Sequence, residues 1–259
     1  MFRFREALIS VYVMWYRQVK RFVRARSRLI GSIAQPLFWM LFFGLGFSSA
    51  LGFQGARSFG LGYMSFLIPG IVMMAVFFTS FTAGISVIWD KEFGFLKEVL
   101  VAPASRSLLI FGRALGDSTV AALQGFIVLA VAYFLTPTLL LDGIPIFTLT
   151  VFLTALTFTC LGIALASKVR SIEGFHLLTT FIAMPTLFLS GAFFPVETMP
   201  EWMKILAFIN PLTYSVDAAR KILTNIGFFS LPLNLMVLLG STLIFTFIAA
   251  WIFEKTTVE

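Results

Sequence analysis

The chain has 259 residues, of which 59% are hydrophobic and only 12% are charged. Runs of about 20 apolar residues recur along it, each long enough to cross about 30 Å of hydrocarbon, so an ordinary soluble fold is excluded and an all-α polytopic membrane protein is predicted. The net charge of +7 does not indicate nucleic-acid binding, because the basic residues form no soluble face and no aromatic-basic recognition motif accompanies them.

Residues 1–28 are predicted to form a cytoplasmic amphipathic helix in the membrane interface. On a helical wheel, one line holds the apolar side chains of Phe4, Leu8, Val11, Trp15, Val19 and Phe22. The opposite side holds Arg17, Lys20, Arg21, Arg24 and Arg28, which we expect to face lipid phosphates. A solvated basic tail is the alternative. The first long apolar run begins only near Leu29, so we expect no cleaved signal peptide.

Residues 29–259 are predicted to form a permease-like domain of six transmembrane helices. Their approximate ranges are 29–51, 61–89, 108–135, 145–167, 174–194 and 231–253. Lys and Arg total 15 in the N-terminal segment, residues 90–113, residues 168–170 and the C-terminal tail, against four in the alternate connections. The positive-inside rule therefore predicts that both termini are cytoplasmic.

The segment between the second and third spans is predicted to form a short cytoplasmic helix at about 91–102. Its apolar face holds Phe93, Leu96, Val99 and Leu100, charges are supplied by Lys91, Glu92, Lys97 and Glu98, and Pro103 ends it. An apolar ridge with charged flanks suits docking into a groove on another protein, and a solvated loop is the alternative.

The segment 195–230, between the fifth and sixth spans, is neither a span nor an ordinary loop. It combines prolines at 195, 200 and 211 with amphipathic stretches at 202–208 and 214–223. We expect two short helices that dip along the outer surface of the membrane.

Motifs for common chemistry are absent. The chain contains no G-x-x-x-x-G-K-[ST] phosphate loop, no H-E-x-x-H and no Cys/His ligand cluster, so we expect no nucleotide site, metal or cofactor in it. Cys160 and His176 are interpreted as structural. Ionisable residues cluster near the predicted cytoplasmic ends of spans, at Asp90, Lys91, Arg113, Asp117 and Glu173. An ion-coupled secondary transporter should need such groups at mid-membrane, which argues against that class.

The order of these parts resembles the type-2 membrane subunits of ATP-binding-cassette (ABC) exporters, particularly the daunorubicin-resistance and nodulation-factor permease branch. The segments EFGFLKEVLVAPASR and FLSGAFFPVETMPEWMKILAFINPLTYSVDAAR carry the resemblance. It implies a half-transporter of the cell inner membrane that pairs with a second permease subunit, expected to be identical. It also implies that two copies of a separate ATPase, which binds ATP and Mg, dock on the pair.

By position, the resemblance makes residues 4–28 an elbow helix and assigns three sets of site residues. The ATPase-coupling set is Glu92, Phe93, Gly94, Leu96, Lys97, Glu98, Val99, Leu100, Pro103 and Arg106. The outer-gate set is Pro195, Pro200, Trp202, Asn210, Pro211, Tyr214 and Arg220. The substrate-path set is Phe77, Phe78, Phe81, Thr179, Thr180, Phe181, Met184 and Phe188.

The aromatic, uncharged path predicts export of an apolar or amphipathic substrate, drug-like or lipid-like. Export of a lipid-linked glycan or polysaccharide is an alternative within the same class. A membrane assembly or scaffold protein remains a further alternative from a different class.

Overall fold

A computed structural model of the chain describes residues 2–46, 62–93, 106–136, 138–169 and 171–255. Within these ranges the regular structure is entirely helical. The α-helices are α1 (Phe2–Arg24), α2 (Arg26–Trp39), α3 (Tyr63–Thr82), α4 (Ile85–Glu92), α5 (Arg106–Leu135), α6 (Ile144–Lys168), α7 (Ile172–Phe188), α8 (Glu201–Ile209), α9 (Pro211–Thr224) and α10 (Leu231–Glu254). A π-helical segment, Met40–Leu45, continues α2, and a short 3-10 turn, Val196–Thr198, precedes α8.

Four helical stretches in the described ranges are long and apolar enough to cross a membrane: Tyr63–Glu92, Ser107–Leu135, Ile144–Lys168 and Leu231–Glu254. They match the second, third, fourth and sixth predicted spans, and the chain is a membrane protein. The fifth was predicted to reach residue 194, but α7 has only 17 residues because the chain turns at Gly191 (φ 75°). The first predicted span extends beyond the described residues, so the count of six stays a prediction.

Helix α3 lies at the centre of the bundle because it is apolar on every side. It packs against α5, α6 and α9, and its Phe77 ring meets the Phe158 ring of α6 edge-on with centroids 4.6 Å apart. Helix α10 instead buries only a narrow face, against α6, and exposes the side chains of Leu243 and Phe247. The exposed face of α10 suits contact with lipid.

Close backbone contact, made possible by glycine, fixes how α4 meets α6. A Cβ atom on Gly84 would collide with the carbonyl oxygen of Gly162, and one on Gly162 would collide with the carbonyl of Phe81. Small residues at helix crossings in membranes allow this approach. The pair therefore sets the distance between the second and fourth predicted spans.

Hydroxyl groups join the long helices inside the bundle. The Thr157 and Thr242 hydroxyls lie 2.7 Å apart across α6 and α10, and Thr154 donates to the Ser215 hydroxyl of α9 at 2.8 Å. Such bonds hold helices together where the hydrophobic effect between them is weak.

Helix α1 was predicted to extend to residue 28, but it ends at Arg24 and Arg28 belongs to α2. Its buried side chains are Met14, Gln18 and Phe22, whereas Leu8, predicted on the apolar line, is exposed. The buried face is set by α5, where Gly112 and Gly116 let the α1 backbone approach closely at Val11 and Trp15.

Candidate functional site

Four charged side chains and one hydroxyl from three helices meet in a largely buried group that we call the basal cluster, formed by Arg17, Ser86, Asp90, Arg113 and Asp117. The Asp90 carboxylate accepts from Arg17 at 2.9 Å and from Arg113 at 2.7 Å. Arg113 also donates to the Ser86 hydroxyl at 2.7 Å, and its Nε lies 3.9 Å from the Asp117 carboxylate. The cluster joins α1, α4 and α5 at one end of the bundle.

The basal cluster is largely buried, so its charged groups must compensate one another. The Arg113 side chain is 2% exposed and lies between two carboxylates. A buried charge is tolerated only when it is paired and hydrogen-bonded, so each member depends on the others. Arg17 was predicted to face lipid phosphates, and this is wrong because its guanidinium pairs with Asp90.

Two further cations hold the same end of α4. The Lys91 ammonium donates to the Ser167 carbonyl at 2.8 Å and to the Ala166 carbonyl at 3.3 Å, which satisfies acceptors in the last turn of α6. The Arg21 guanidinium lies over the Trp89 ring, 5.3 Å from its centre. The end of α4 is thus fixed to α1, α5 and α6 immediately before residue 94.

The predicted coupling residues fall around this point. Glu92 is the last residue of α4, and Phe93, 82% exposed, follows it. Lys91 and Glu92 therefore belong to the second-span helix, and Arg106 begins α5. The remaining members lie outside the described residues, namely Gly94, Leu96, Lys97, Glu98, Val99, Leu100 and Pro103.

A second polar group, which we call the cap cluster, lies at the opposite end of the bundle and consists of Gly191, Asp217, Arg220 and Asn234. The Arg220 guanidinium donates to the Gly191 carbonyl at 2.8 Å and stacks 3.8 Å from the Phe66 ring centre. Burial lowers the pKa of Arg220 to about 10, against the raising effect of the Asp217 and Glu197 carboxylates. Arg220 therefore remains charged at neutral pH.

Asp217 connects the cap cluster to the last helix. Its carboxylate accepts from the backbone N–H groups of Phe228 and Phe229 at 2.6 and 3.0 Å, and from the Asn234 amide of α10 at 2.8 Å. Together Arg220 and Asp217 hold α3, the turn after α7, α9 and α10 in one arrangement.

The other predicted gate residues have local roles in the same region. Asn210 caps α9 by accepting from Leu212 N–H at 3.0 Å, and its amide donates to the Thr186 carbonyl at 2.7 Å. The Tyr214 hydroxyl donates to the Phe208 carbonyl at 2.8 Å. Pro211 begins α9, Pro195 is buried before the 3-10 turn, and Pro200 and Trp202 are exposed at the start of α8.

The structure divides the predicted path residues into two groups. Phe77 and Phe81 are fully buried in the bundle core, so in this arrangement they do not face a path outside the chain. Phe78 and Thr179 are partly buried. Thr180, Phe181, Met184 and Phe188 are exposed on α7, with Phe181 at 76%.

Sequence reasoning missed Arg17 and Asp217 as organising residues. Arg17 was grouped with the basic face of α1, and nothing local indicates a partner 73 residues away. Asp217 offers a signal, because it lies one turn before Arg220 on an amphipathic helix, and a buried carboxylate is costly unless it is paired. In the described part of the chain, no three His, Cys, Asp or Glu side chains gather as a metal site requires.

Comparisons with known proteins place the chain among transport proteins. The sequence profile of the family described as ABC-2 type transporter matches residues 9–224. The chain is 32% identical over 204 residues to the protein of Porphyra purpurea named transport permease ycf38, covering 78% of this chain and 69% of that one. It is 24% identical over 213 residues to the inner membrane transport permease YadH of Escherichia coli (strain K12), covering 82% of each. It is also 27% identical over 163 residues to the protein of the same strain named multidrug ABC transporter permease YbhR, covering 62% of this chain and 44% of that one.

Proposed function

Because this chain belongs to the ABC-2 type transporter family, we propose that it is the membrane-spanning subunit of an ATP-driven exporter of apolar or amphipathic substrates. ATP and Mg bind to a separate ATPase, two copies of which dock on a pair of permease subunits in the inner membrane. The relative YadH, named an inner membrane transport permease, supports this location.

The observation that carries the proposal is the position of the basal cluster. Asp90 and Arg113 precede and follow the segment 94–105 in the chain, and their 2.7 Å ion pair joins α4 to α5, the helices on either side of it. A force applied to that segment by a docked ATPase passes directly into α4 and α5. Since Arg17 shares the same carboxylate, α1 moves with them.

The exposed apolar side chains near α3 support an amphipathic substrate. Phe181 and Met184 are exposed on α7, and Phe38 and Phe42 on the α2 side. The Phe193 ring contacts Trp39 and Phe188, so these two surfaces meet beside the outer end of α3. We place the substrate path along them, facing the second permease subunit. A relative named multidrug ABC transporter permease supports a drug-like cargo.

The test replaces both Leu96 and Leu100 by Asp in the complex with its ATPase. Each apolar anchor in such a groove contributes about 2 kcal/mol or more, and two unpaired carboxylates add a desolvation penalty. We expect pull-down of the ATPase and substrate-stimulated ATP hydrolysis to fall at least tenfold, while detergent melting of the permease stays near wild type.

The matched control replaces the same two leucines by Met, which preserves apolar volume and should leave docking and hydrolysis near wild type. The permease purified without its partner should not hydrolyse ATP. If the Asp variant kept wild-type pull-down and hydrolysis, the segment would not be part of the ATPase interface.

A further inference from the structure

The non-helical turn that follows α7, residues 190–193, is buried within this one chain, and we call it the outer turn. Ser190 and Ala192 are each 1% exposed, and Phe193 is 6% exposed. Turns normally lie at the surface, because a buried turn carries backbone polar groups that water cannot reach. Other parts of the chain must therefore bind the carbonyl groups of the outer turn.

Two side chains from different helices bind these carbonyl groups. The Arg220 guanidinium of α9 donates to the Gly191 carbonyl at 2.8 Å. The Tyr63 hydroxyl of α3 donates to the Phe193 carbonyl at 3.3 Å. Arg220 is itself joined to α3, because its Nε donates to the Phe66 carbonyl at 3.3 Å. The outer turn is thus held by side-chain hydrogen bonds, which can break without unfolding a helix.

Helix α3 forms the surface on which the outer turn lies. A Cβ atom on Gly70 would be 2.6 Å from the Ala192 carbonyl oxygen, so the two backbones meet with no side chain between them. Tyr63 and Gly70, about two helical turns apart on α3, therefore both contact the outer turn. Close-packed backbones transmit displacement. A shift of α3 must either carry the outer turn along or break its hydrogen bonds.

The outer turn lies at the outer end of the proposed substrate path. The Phe193 ring centre is 5.4 Å from that of Trp39 and 5.7 Å from that of Phe188, on the two helices whose exposed sides form the path. The same apolar stretch that holds the outer turn, Tyr63–Glu92, carries Asp90 of the basal cluster near its other end. This stretch therefore connects the segment 94–105 with the outer turn.

We propose that the outer turn is the moving part of the outer gate, and that Arg220 and Tyr63 hold it closed against α3. The inference rests on the proposed function, because only transport requires the path to open. Displacement of α3 after the ATPase acts on the segment 94–105 breaks the two carbonyl contacts and releases the outer turn. Tyr63, which the predicted outer-gate set does not contain, is a positioning residue of this gate.

Thiol labelling tests the proposal, because the chain has one native cysteine, Cys160, which is 1% exposed in α6. The nearly isosteric change Ser190→Cys places a second thiol in the outer turn. The full-length permease in detergent, without its ATPase, is treated with a charged maleimide, and labelling of each thiol is followed by mass spectrometry of its peptides. With the outer turn held closed, both thiols should react slowly.

Loss of either side-chain contact should expose residue 190. In the Ser190→Cys background, Tyr63→Phe removes only the hydroxyl that binds the Phe193 carbonyl. We expect labelling at residue 190 to become about fivefold faster, the effect of one lost hydrogen bond on a local opening equilibrium. Arg220→Lys keeps the charge but loses the planar guanidinium, and should give about a tenfold increase. Tyr63→Phe, the milder change, decides the proposal if Arg220→Lys does not fold.

The matched control is Thr157→Val, which removes a buried hydroxyl contact of 2.7 Å to Thr242, between α6 and α10. This variant should leave labelling at residue 190 unchanged, and Cys160 should stay slow in every variant. Unchanged labelling at residue 190 in Tyr63→Phe would overturn the proposal. Equal acceleration in Thr157→Val, or faster labelling of Cys160 together with residue 190, would overturn it as well, because the whole bundle would then be loosened.

A second measurement separates this proposal from the proposed function. With the ATPase, ATP and vanadate present, labelling at residue 190 should rise in the protein that carries Ser190→Cys alone. Normal ATP hydrolysis without that rise would leave the exporter assignment standing and overturn the gate. An ATPase that does not bind would contradict the proposed function, and the Tyr63→Phe comparison would still decide whether Tyr63 holds the outer turn closed.

Discussion

Asp90 is the carboxylate on which two guanidinium groups depend. Replacing it by Asn keeps its shape but removes the charge that pairs with Arg113, whose side chain is 2% exposed. Among the described residues, Arg113 would then keep only the Asp117 carboxylate, 3.9 Å from its Nε, and breaking a buried ion pair costs about 3 kcal/mol. We expect Asp90→Asn to lower the melting temperature of the detergent-purified protein clearly, measured by scanning fluorimetry.

The control for Asp90 is an ion pair of similar length at the surface. Lys204 and Glu201 lie 2.8 Å apart, but the Glu201 side chain is 86% exposed. Pairs of this kind contribute about 0 to 1 kcal/mol. Glu201→Gln should therefore melt like wild type, and an equal effect of both variants would mean that burial of the basal cluster does not determine its contribution.

At the residue scale, the sequence predicts which charges lie at the same depth but not which of them touch. Asp90, Arg113 and Asp117 are assigned to the same side of the membrane from the span ends, and the structure brings them together. Their link to Arg17 depends on how α1 docks on α5, which no local pattern encodes. Likewise, burial of Phe77 and Phe81 follows from the central position of α3, because a helix that is apolar all round gives no sign of which face meets a neighbour.

The crossing of α4 and α6 depends on the absence of side chains at two glycines. A Cβ atom at Gly84 would meet the Gly162 backbone, which cannot rotate away as a flexible side chain would. Overpacking of this kind costs about 1–3 kcal/mol. We expect Gly84→Ala to destabilise the protein and to displace α4, which precedes the segment 94–105. The measurements are a lower melting temperature and a weaker ATPase pull-down.

Gly240 of α10 provides the comparison, because a Cβ atom there would meet nothing within 4 Å. Alanine favours the helix over glycine by about 1 kcal/mol, so Gly240→Ala should be neutral or stabilising. A destabilised Gly240→Ala variant beside an unaffected Gly84→Ala variant would contradict the packing described for α4 and α6.

At the element scale, hydrophobic periodicity and turn residues predict a helix well where its ends and its buried face depend on its own sequence. The two short helices predicted around 202–208 and 214–223 are present as α8 and α9, and their position on the outer surface stays a prediction. The end of α7 was missed because Leu189 and Ser190 are compatible with a helix, and only the left-handed turn at Gly191 shows the stop. The buried face of α1 was not predicted because it depends on glycines of α5, which allow the α1 backbone to approach closely.

The orientation of the whole molecule is predicted from its basic residues, of which 15 lie on the predicted cytoplasmic side and four on the other. We expect green fluorescent protein fused after Glu259 to fluoresce and alkaline phosphatase fused there to stay inactive. The same phosphatase inserted after Ile226, between α9 and α10, should be active. An active phosphatase at the C-terminus would refute the six-span arrangement.

Because the Asn234 amide comes from α10, the cap cluster can be completed only after that helix has been synthesised. Asp217 is made before α10, yet one of its three hydrogen-bond donors belongs to that helix. The cap cluster of a nascent chain therefore cannot reach its final hydrogen bonding until α10 has left the ribosome and entered the bilayer. In a series of truncated chains, resistance of the loop 225–230 to added protease should appear only once α10 is complete. Resistance in chains that end at Ser230 would show that α10 is not needed to protect the loop.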